Sequence, residues 1–279
     1  MIKTNSEKGT AVALGNFDGL HIGHMAVINN IADTPYDAAA LIVNSSFSLM
    51  TCQDVVSTLA EKGIKAIFAD FDEIRNMDCE AFVREILVEK LNARVVSCGY
   101  NFHFGAGASG NVDDLKRLCD KYGISLALTP EVKCGENSVS STVIRKMLAD
   151  GDCKTASKLL GRPFSFSSPV IHGDSRGRTI GFPTANQYPP EKLIELKHGV
   201  YKTLVTIDGG QYNAITNYGI RPTYQVKNIL SETHIINFDG DIYSKNIRVS
   251  FLDFIREERR FDSINELKKQ MEKDLASVK

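Results

Sequence analysis

Two rhythms of apolar residues divide the chain. In the first half, short unbroken apolar runs alternate with segments whose apolar residues recur at helical spacing. Thr10–Leu14, Ala38–Val43, Gly63–Phe68 and Ala93–Cys98 are runs of strand length. His24–Ile31, a stretch starting near Gln53, Cys79–Leu91, Asp113–Tyr122 and Ser141–Leu148 read as helices. In Cys79–Leu91 the spacing is clearest, with Phe82, Val83, Ile86, Leu87 and Leu91 on one helical face. Strands covered on both faces read as continuous apolar runs, and strands alternating with helices join into a parallel sheet through crossovers. The first half is therefore predicted to be an α/β domain with a Rossmann-like parallel sheet.

From about Arg162 the rhythm changes to short strand-like runs separated by turn signals. These are Val200–Ile207, Tyr212–Thr216, Glu232–Phe238 and Asn246–Phe251, with Asp208-Gly209-Gly210 and Asp239-Gly240-Asp241 read as hairpin turns between them. That pattern predicts a small antiparallel β-barrel or sandwich. A last helix is expected over Ser263–Leu275, with Ser263 as cap and Glu266 three residues on. The seam is expected near Gly151–Arg162, giving domains 1–155 and 162–279.

Composition narrows the class. Of 279 residues, 43% are hydrophobic and 24% charged, close to a globular average, which excludes disordered, collagen-like and fibrous chains. No run of 18 apolar residues predicts a membrane helix. The start, Met1–Glu7, lacks the apolar core of a signal peptide, so a cytoplasmic protein is expected. The net charge of −1 hides an asymmetry: residues 1–153 carry 14 basic against 20 acidic side chains, and residues 154–279 carry 19 against 14. An excess of five over the second half is too weak for a nucleic-acid footprint. Nucleic acid, membrane and an obligate protein partner are therefore not expected. All six cysteines precede residue 154, and none forms a Cys-x-x-Cys pair, so they read as free, small core residues.

The candidate chemistry lies in four places. Gly15-Asn16-Phe17-Asp18-Gly19-Leu20-His21-Ile22-Gly23-His24 follows a strand and opens a helix. Backbone N–H groups and a helix N-terminus there suit an anion, and His21 and His24 suit the charge that builds as pyrophosphate leaves. Ser140-Ser141-Thr142-Val143-Ile144-Arg145 opens a second helix with three hydroxyls, which either cap it or bind phosphate, and Arg145 follows within one turn. Gly99–Gly107 (GYNFHFGAG), with Asn101 in it, suits a loop against a planar ligand or a turn with its aromatics in the core. The fourth, Gly173–Asn186 (GDSRGRTIGFPTAN), is no Walker P-loop, but its glycines allow close approach to phosphates. Gly173, Arg178, Gly181 and Pro183 are candidates for ATP or flavin, and Thr184 and Asn186, two apart, would share one face of a strand and offer oxygens to Mg²⁺. A kinase also needs a carboxylate to take the proton of the accepting hydroxyl. Glu232 is one of 14 acidic residues in this half, and the residues alone do not single it out.

Taken together, the motifs resemble the bacterial bifunctional riboflavin kinase/FMN adenylyltransferase family, also called FAD synthetase, over roughly residues 10–275. Gly177–Asn186, His198–Tyr201, Asn217–Tyr224 and Glu232–Tyr243 are similar to its kinase module, and GNFDGLHIGH, GYNFHFG and SSTVIR to its nucleotidyltransferase motifs. The resemblance implies a six-stranded Greek-key barrel that binds Mg-ATP and riboflavin, with Thr184 and Asn186 at the metal and Glu232 as base on the ribityl 5′-hydroxyl. It implies an N-terminal domain in which FMN attacks the α-phosphate of ATP to give FAD and pyrophosphate, with His21, His24 and Arg145 stabilising the transition state. Gly15, Asn16, Phe17, Asp18, Gly19, Gly23, Asn101, Ser140, Ser141 and Thr142 would form the ATP and phosphate site. One departure is visible: Ile42–Met50 stands where the family carries a Phe-x-Pro-His-Pro segment. Two other readings of the first half stay open at this point, a flavin- or nucleotide-binding module without chemistry, and an adenylyltransferase for another small molecule.

Overall fold

The computed structural model describes residues 6–43, 47–173, 181–222 and 227–278. The chain divides into two compact units, Met1–Ser141 and Thr142–Lys279.

The first unit is built on five parallel strands, β1 (Thr10–Gly15), β2 (Asp37–Ile42), β3 (Lys65–Phe68), β4 (Ala93–Gly99) and β5 (Ser125–Thr129), in the order β3-β2-β1-β4-β5. Four of them are the apolar runs seen in the sequence. The fifth, β5, lies at an edge with only Thr129 buried, so it lacks the unbroken apolar signature. Helices α1 (Ile22–Ala32), α2 (Cys52–Ala60) and α4 (Val112–Tyr122) stand where the spacing predicts them. Cys79–Leu91 differs in kind: a helical turn at Cys79–Ala81 runs into a π-helix at Phe82–Lys90, together α3. A short β6–β7 hairpin (Lys133–Cys134, Asn137–Ser138) precedes α5 (Ser141–Asp150).

Alternation along β1 sorts the core into two layers. Val12 and Leu14 pack with Leu41, Val96 and the buried face of α3. Ala11, Ala13 and Ala40 pack with Val27, Ile28 and Ile31 of α1 and Val55 and Leu59 of α2. Each fully buried large aliphatic contributes about 1.5–3 kcal/mol. The alanines allow α1 to lie close to the sheet, and polar bonds fix it there. Ser97 Oγ on β4 donates to the Val27 carbonyl (2.8 Å), and Asn30 Nδ2 donates to Ser97 Oγ (3.1 Å) and to Thr129 Oγ1 on β5 (2.9 Å).

The second unit begins with most of α5 and continues through α6 (Cys153–Leu160) into a six-stranded antiparallel sheet. Its strands are β8 (Phe164–Pro169), β9 (Ala185–Gln187), β10 (Gly199–Ile207), β11 (Gly210–Pro222), β12 (Lys227–Ile235) and β13 (Asn246–Arg256), in the order β8-β13-β10-β11-β12-β9. The sheet curls into a half-barrel. Tyr201 stands edge-on to Phe251 and Phe254, both at 5.2 Å, and its hydroxyl donates to the Lys197 carbonyl. Asp208 and Gly209 form the expected β10–β11 turn, both at positive φ (48° and 84°), as a type I′ hairpin requires.

Asp239-Gly240-Asp241 corrects the sequence reading. It is not a hairpin turn, because β12 pairs with β11 and β9, whereas β13 pairs with β10 and β8. Turn residues mark a reversal of the chain but carry no information about which strand comes next in the sheet. The closing helix, α7 (Ile264–Ala276), is capped by Ser263 Oγ, which accepts from the Glu266 N–H (3.2 Å). Glu266 Oε2 accepts from the Asp262 N–H (3.3 Å), one residue ahead of the cap. Arg256 on β13 ties α7 down through Nε and Nη2 to the buried Asp274 carboxylate (2.7 Å from Nη2).

Candidate functional site

In the first unit, β1 hands the chain on to β2 at one side, while β4 is followed by β5 at the other. In open α/β sheets the crevice beyond the carboxyl ends of such neighbouring strands is where ligands bind. A cleft of about 390 Å³ lies there. Gly15, Asn16, Phe17, His21, Gly23 and His24 enter it from the turn after β1, Asn101 from the turn after β4, and Ser140 and Ser141 from the start of α5. Three motifs far apart in sequence thus meet at one site.

The local geometry explains the composition of the first motif. Phe17 adopts a left-handed conformation (φ 53°, ψ 22°) yet is fully buried, so packing offsets a backbone cost of about 1–2 kcal/mol. Gly19, at φ 80°, completes the turn. A Cβ on Gly15 would stand 3.1 Å from the Phe17 ring, and one on Gly23 would stand 3.2 Å from His21 Nδ1. His21 caps α1: its Nδ1 accepts from the His24 N–H (3.1 Å), which leaves the ring proton for Nε2. The His24 ring stacks on His21 (centroids 3.5 Å apart) and meets Phe17 edge-on at 5.4 Å. Burial first, and His21 beside it second, hold His24 well below the ordinary histidine range, so it is a neutral imidazole at neutral pH. Its buried Nδ1 has no partner.

Three of the predicted phosphate ligands bond to other groups of the protein. The buried Asp18 carboxylate accepts from the Ser48 N–H (3.0 Å), the Ser48 hydroxyl (3.0 Å) and the Leu49 N–H (2.8 Å), and it does not line the cleft. Ser141 Oγ donates to the Asp18 carbonyl (3.0 Å) and so clasps the first motif to the third. Thr142 is exposed and accepts from Arg145 Nη2 (3.3 Å); both belong to the second unit.

In the second unit, a cleft of about 630 Å³ is lined by Pro183, Thr184, Ala185 and Thr233 together with Asp239–Tyr243. The Asp239 loop, read as a turn, is thus one wall of this cleft. β9 comprises Ala185–Gln187, so Thr184 precedes the strand rather than lying on it. Asn186 is directly opposite Glu232 across the β9–β12 ladder, and residues so paired carry their side chains on the same face. Glu232 does not line the cleft; its row continues to Asn217 on β11. Asn186 is 5% exposed, and its Oδ1 has no partner. Gly173 packs directly on it, and a Cβ there would collide with Asn186 Nδ2. Gly181 is exposed at φ 86°, and Arg178 lies outside the described residues.

Sequence reasoning missed two neighbours. Glu258 Oε1 accepts from Asn217 Nδ2 (3.0 Å), and a Cβ on Gly219 would collide with its carboxylate. Gln187 is wholly buried beside Asn186. Neither has a sequence signal, since each acts through a strand remote in the chain.

The chain has relatives over its full length. The riboflavin kinase family (Flavokinase) matches residues 160–279, and the FAD synthetase family (FAD_syn) matches residues 3–43 and 34–143. A bifunctional riboflavin kinase/FMN adenylyltransferase of Buchnera aphidicola subsp. Schizaphis graminum is 35% identical, with 99% of this chain and 95% of that protein covered. One of Haemophilus influenzae is 32% identical, covering 98% and 94%. A crystal structure from Streptococcus pneumoniae, titled a macrolide-efflux protein, is 27% identical with a TM-score of 0.89, covering 99% of this chain and 95% of that one. Among the described residues no helix is long and apolar enough to cross a membrane.

Proposed function

The chain belongs to the bifunctional riboflavin kinase/FMN adenylyltransferase family, making FMN from riboflavin and ATP and then FAD from FMN and ATP, and from that premise we propose which residues carry each step. Residues 162–279 perform the first reaction and residues 1–155 the second, in the cytoplasm and without an obligate protein partner.

For the kinase step, Thr184 and Asn186 hold Mg²⁺ beside the ATP phosphates. The fit rests on the Asn186 amide oxygen, buried and unpartnered, and on Thr184 at the cleft wall. When bound, the ion supplies positive charge to the transferring phosphoryl group. Among the described residues no group of three or more His, Cys, Asp or Glu could hold a metal. Glu232 accepts the proton of the riboflavin 5′-hydroxyl as that oxygen bonds to the γ-phosphorus and the bond to ADP breaks. The observation that carries this assignment is the register that sets Glu232 against Asn186. Gly173, Arg178, Gly181 and Pro183 complete the ATP and flavin site.

For the second step, a phosphate oxygen of FMN bonds to the α-phosphorus of ATP as the bond to pyrophosphate breaks. His21 and the neutral His24 stabilise the charge through hydrogen bonds at the N-terminus of α1, and Arg145 adds its guanidinium. Gly15, Asn16, Phe17, Gly23, Asn101 and Ser140 line the nucleotide site. Gly19 and Asp18 shape it from behind, the first by completing the turn and the second through the bonds described above, while Ser141 at the cleft and Thr142 add hydroxyls for the phosphates.

The test is to inactivate each half separately. Glu232→Gln should slow FMN formation from riboflavin by about 10²–10⁴-fold while the protein still converts added FMN to FAD. His21→Ala should do the reverse. If either variant loses both activities while remaining folded, the division of labour is wrong.

A further inference from the structure

We propose that Gln187 is a positioning residue for the kinase step: its amide fastens one edge of the half-barrel to the other and so fixes Asn186 at the nucleotide. The proposal rests on the assignment of Thr184 and Asn186 to Mg²⁺ and phosphates made above.

β8 and β9 are the two edges of the six-stranded sheet, and β9 is only three residues long, with its ladder on the β12 side. So short a strand needs a second hold if its side chains are to keep one position. Two groups reach across, one backbone and one side chain. The Ile171 N–H donates to the Asn186 carbonyl (2.8 Å). One residue on, Gln187 Nε2 donates to the Ser168 carbonyl (2.6 Å) and to the Ile247 carbonyl (3.0 Å), with Ser168 Oγ at 3.2 Å. Ser168 on β8 and Ile247 on β13 are register partners, so one amide grips two strands at once. The residue next to Asn186 is thereby pinned from the far side of the barrel.

The other end of the same side chain indicates that the amide is there for its donors. Gln187 Oε1 has no partner, and neither has Ser231 Oγ, its cross-strand neighbour on β12; both residues are 0% exposed. A buried acceptor left unmet is unfavourable, and an apolar side chain of this volume would fill the core without that penalty. What an apolar side chain would not do is hold two backbone carbonyls at fixed distance from β9. Groups that orient a metal ligand without touching the metal affect affinity or activity by about ten- to a hundred-fold.

The experiment uses the full-length protein with Gln187→Met, which keeps the length and removes the donors, and Gln187→Asn, which keeps the amide and shortens its reach. Mn²⁺ binding in the presence of ADP and FMN, the kinase products, is measured by electron paramagnetic resonance. The Mg²⁺ concentration for half-maximal riboflavin phosphorylation is measured alongside, with FAD formation from added FMN as a readout of intact protein. The expected result is Mn²⁺ affinity weakened, and half-saturating Mg²⁺ raised, by about ten-fold or more in both variants, with FAD formation within about two-fold of the parent. Unchanged Mn²⁺ affinity with only a lower melting temperature would reduce Gln187 to a staple of the barrel and overturn the proposal. Asn186→Ala separates the two ideas. If it too binds Mn²⁺ as the parent does, the metal assignment fails; if it loses binding while the Gln187 variants keep theirs, only the role of Gln187 fails.

Discussion

At the scale of single residues, the site is made by side chains whose surroundings change what they do. His24 is a histidine by name and a neutral ring by environment, because burial disfavours its charged form. That has a consequence for stability. The unfolded chain takes up a proton at His24 as pH falls through about 6.5, while the folded chain does not until its own lower pKa is reached. The first unit should therefore lose stability between neutral pH and the lower pKa, and denaturation midpoints at pH 7.5 and 5.5 should show it. His24→Gln should flatten that slope, and an equal slope in the variant would refute the argument. Glu232→Gln should lower the kinase turnover by about 10²–10⁴-fold, the usual worth of a positioned base; rapid-quench measurement of FMN formation is the check. Gly173→Ala should raise the KM for ATP in the kinase reaction about ten-fold or more, because the added methyl would displace the buried Asn186 amide, the proposed Mg²⁺ ligand. His21 and the glycines were legible in the sequence as types suited to phosphate, and Asn186 as one suited to Mg²⁺. The roles of Asp18 and Ser141 were not, because a carboxylate or hydroxyl facing backbone has the same spelling as one facing a ligand.

At the scale of elements, apolar patterning carried most of the information where strands are covered on both faces or buried on one. β1 to β4 and the three long helices of the first unit follow their runs closely. β5 escaped because an edge strand needs no continuous apolar face, β8 because only Phe164 and Phe166 mark its buried face, and the π-helical path of α3 because its buried residues fit ordinary helical spacing as well. Element pairing is where single contacts matter. The Arg256–Asp274 pair joins β13 to α7 with the carboxylate 4% exposed, and Gln270 Nε2 adds a bond to Asp274 Oδ1 (2.6 Å). Asp274→Ala leaves the Arg256 guanidinium, 21% exposed, without its partner, and should destabilise the second unit by about 3 kcal/mol. Urea denaturation followed by loss of kinase activity measures it; a cost below about 1 kcal/mol would show that the pair behaves as a surface ion pair.

At the scale of the whole molecule, the chain carries two reactions of one sequence, the product of the first being the substrate of the second. Riboflavin with excess ATP and Mg²⁺ should yield FMN first and FAD later, followed by chromatography, and chelation of the metal should stop the kinase step. FMN that accumulates without conversion, even when supplied directly, would leave the first unit as a binding module and contradict the reading. By itself the sequence determined the two fold classes, the order of the units along the chain and the motifs with phosphate chemistry, because periodicity and turn residues are local properties. Only the tertiary structure decided which strands are neighbours, and with that everything that depends on register. It set Glu232 against Asn186 across a ladder, made a cleft wall of a supposed hairpin turn, and brought Gln187 of β9 to the carbonyls of β8 and β13. Such pairings join residues tens of positions apart through hydrogen bonds to backbone groups, and nothing in the spelling of either segment names its partner.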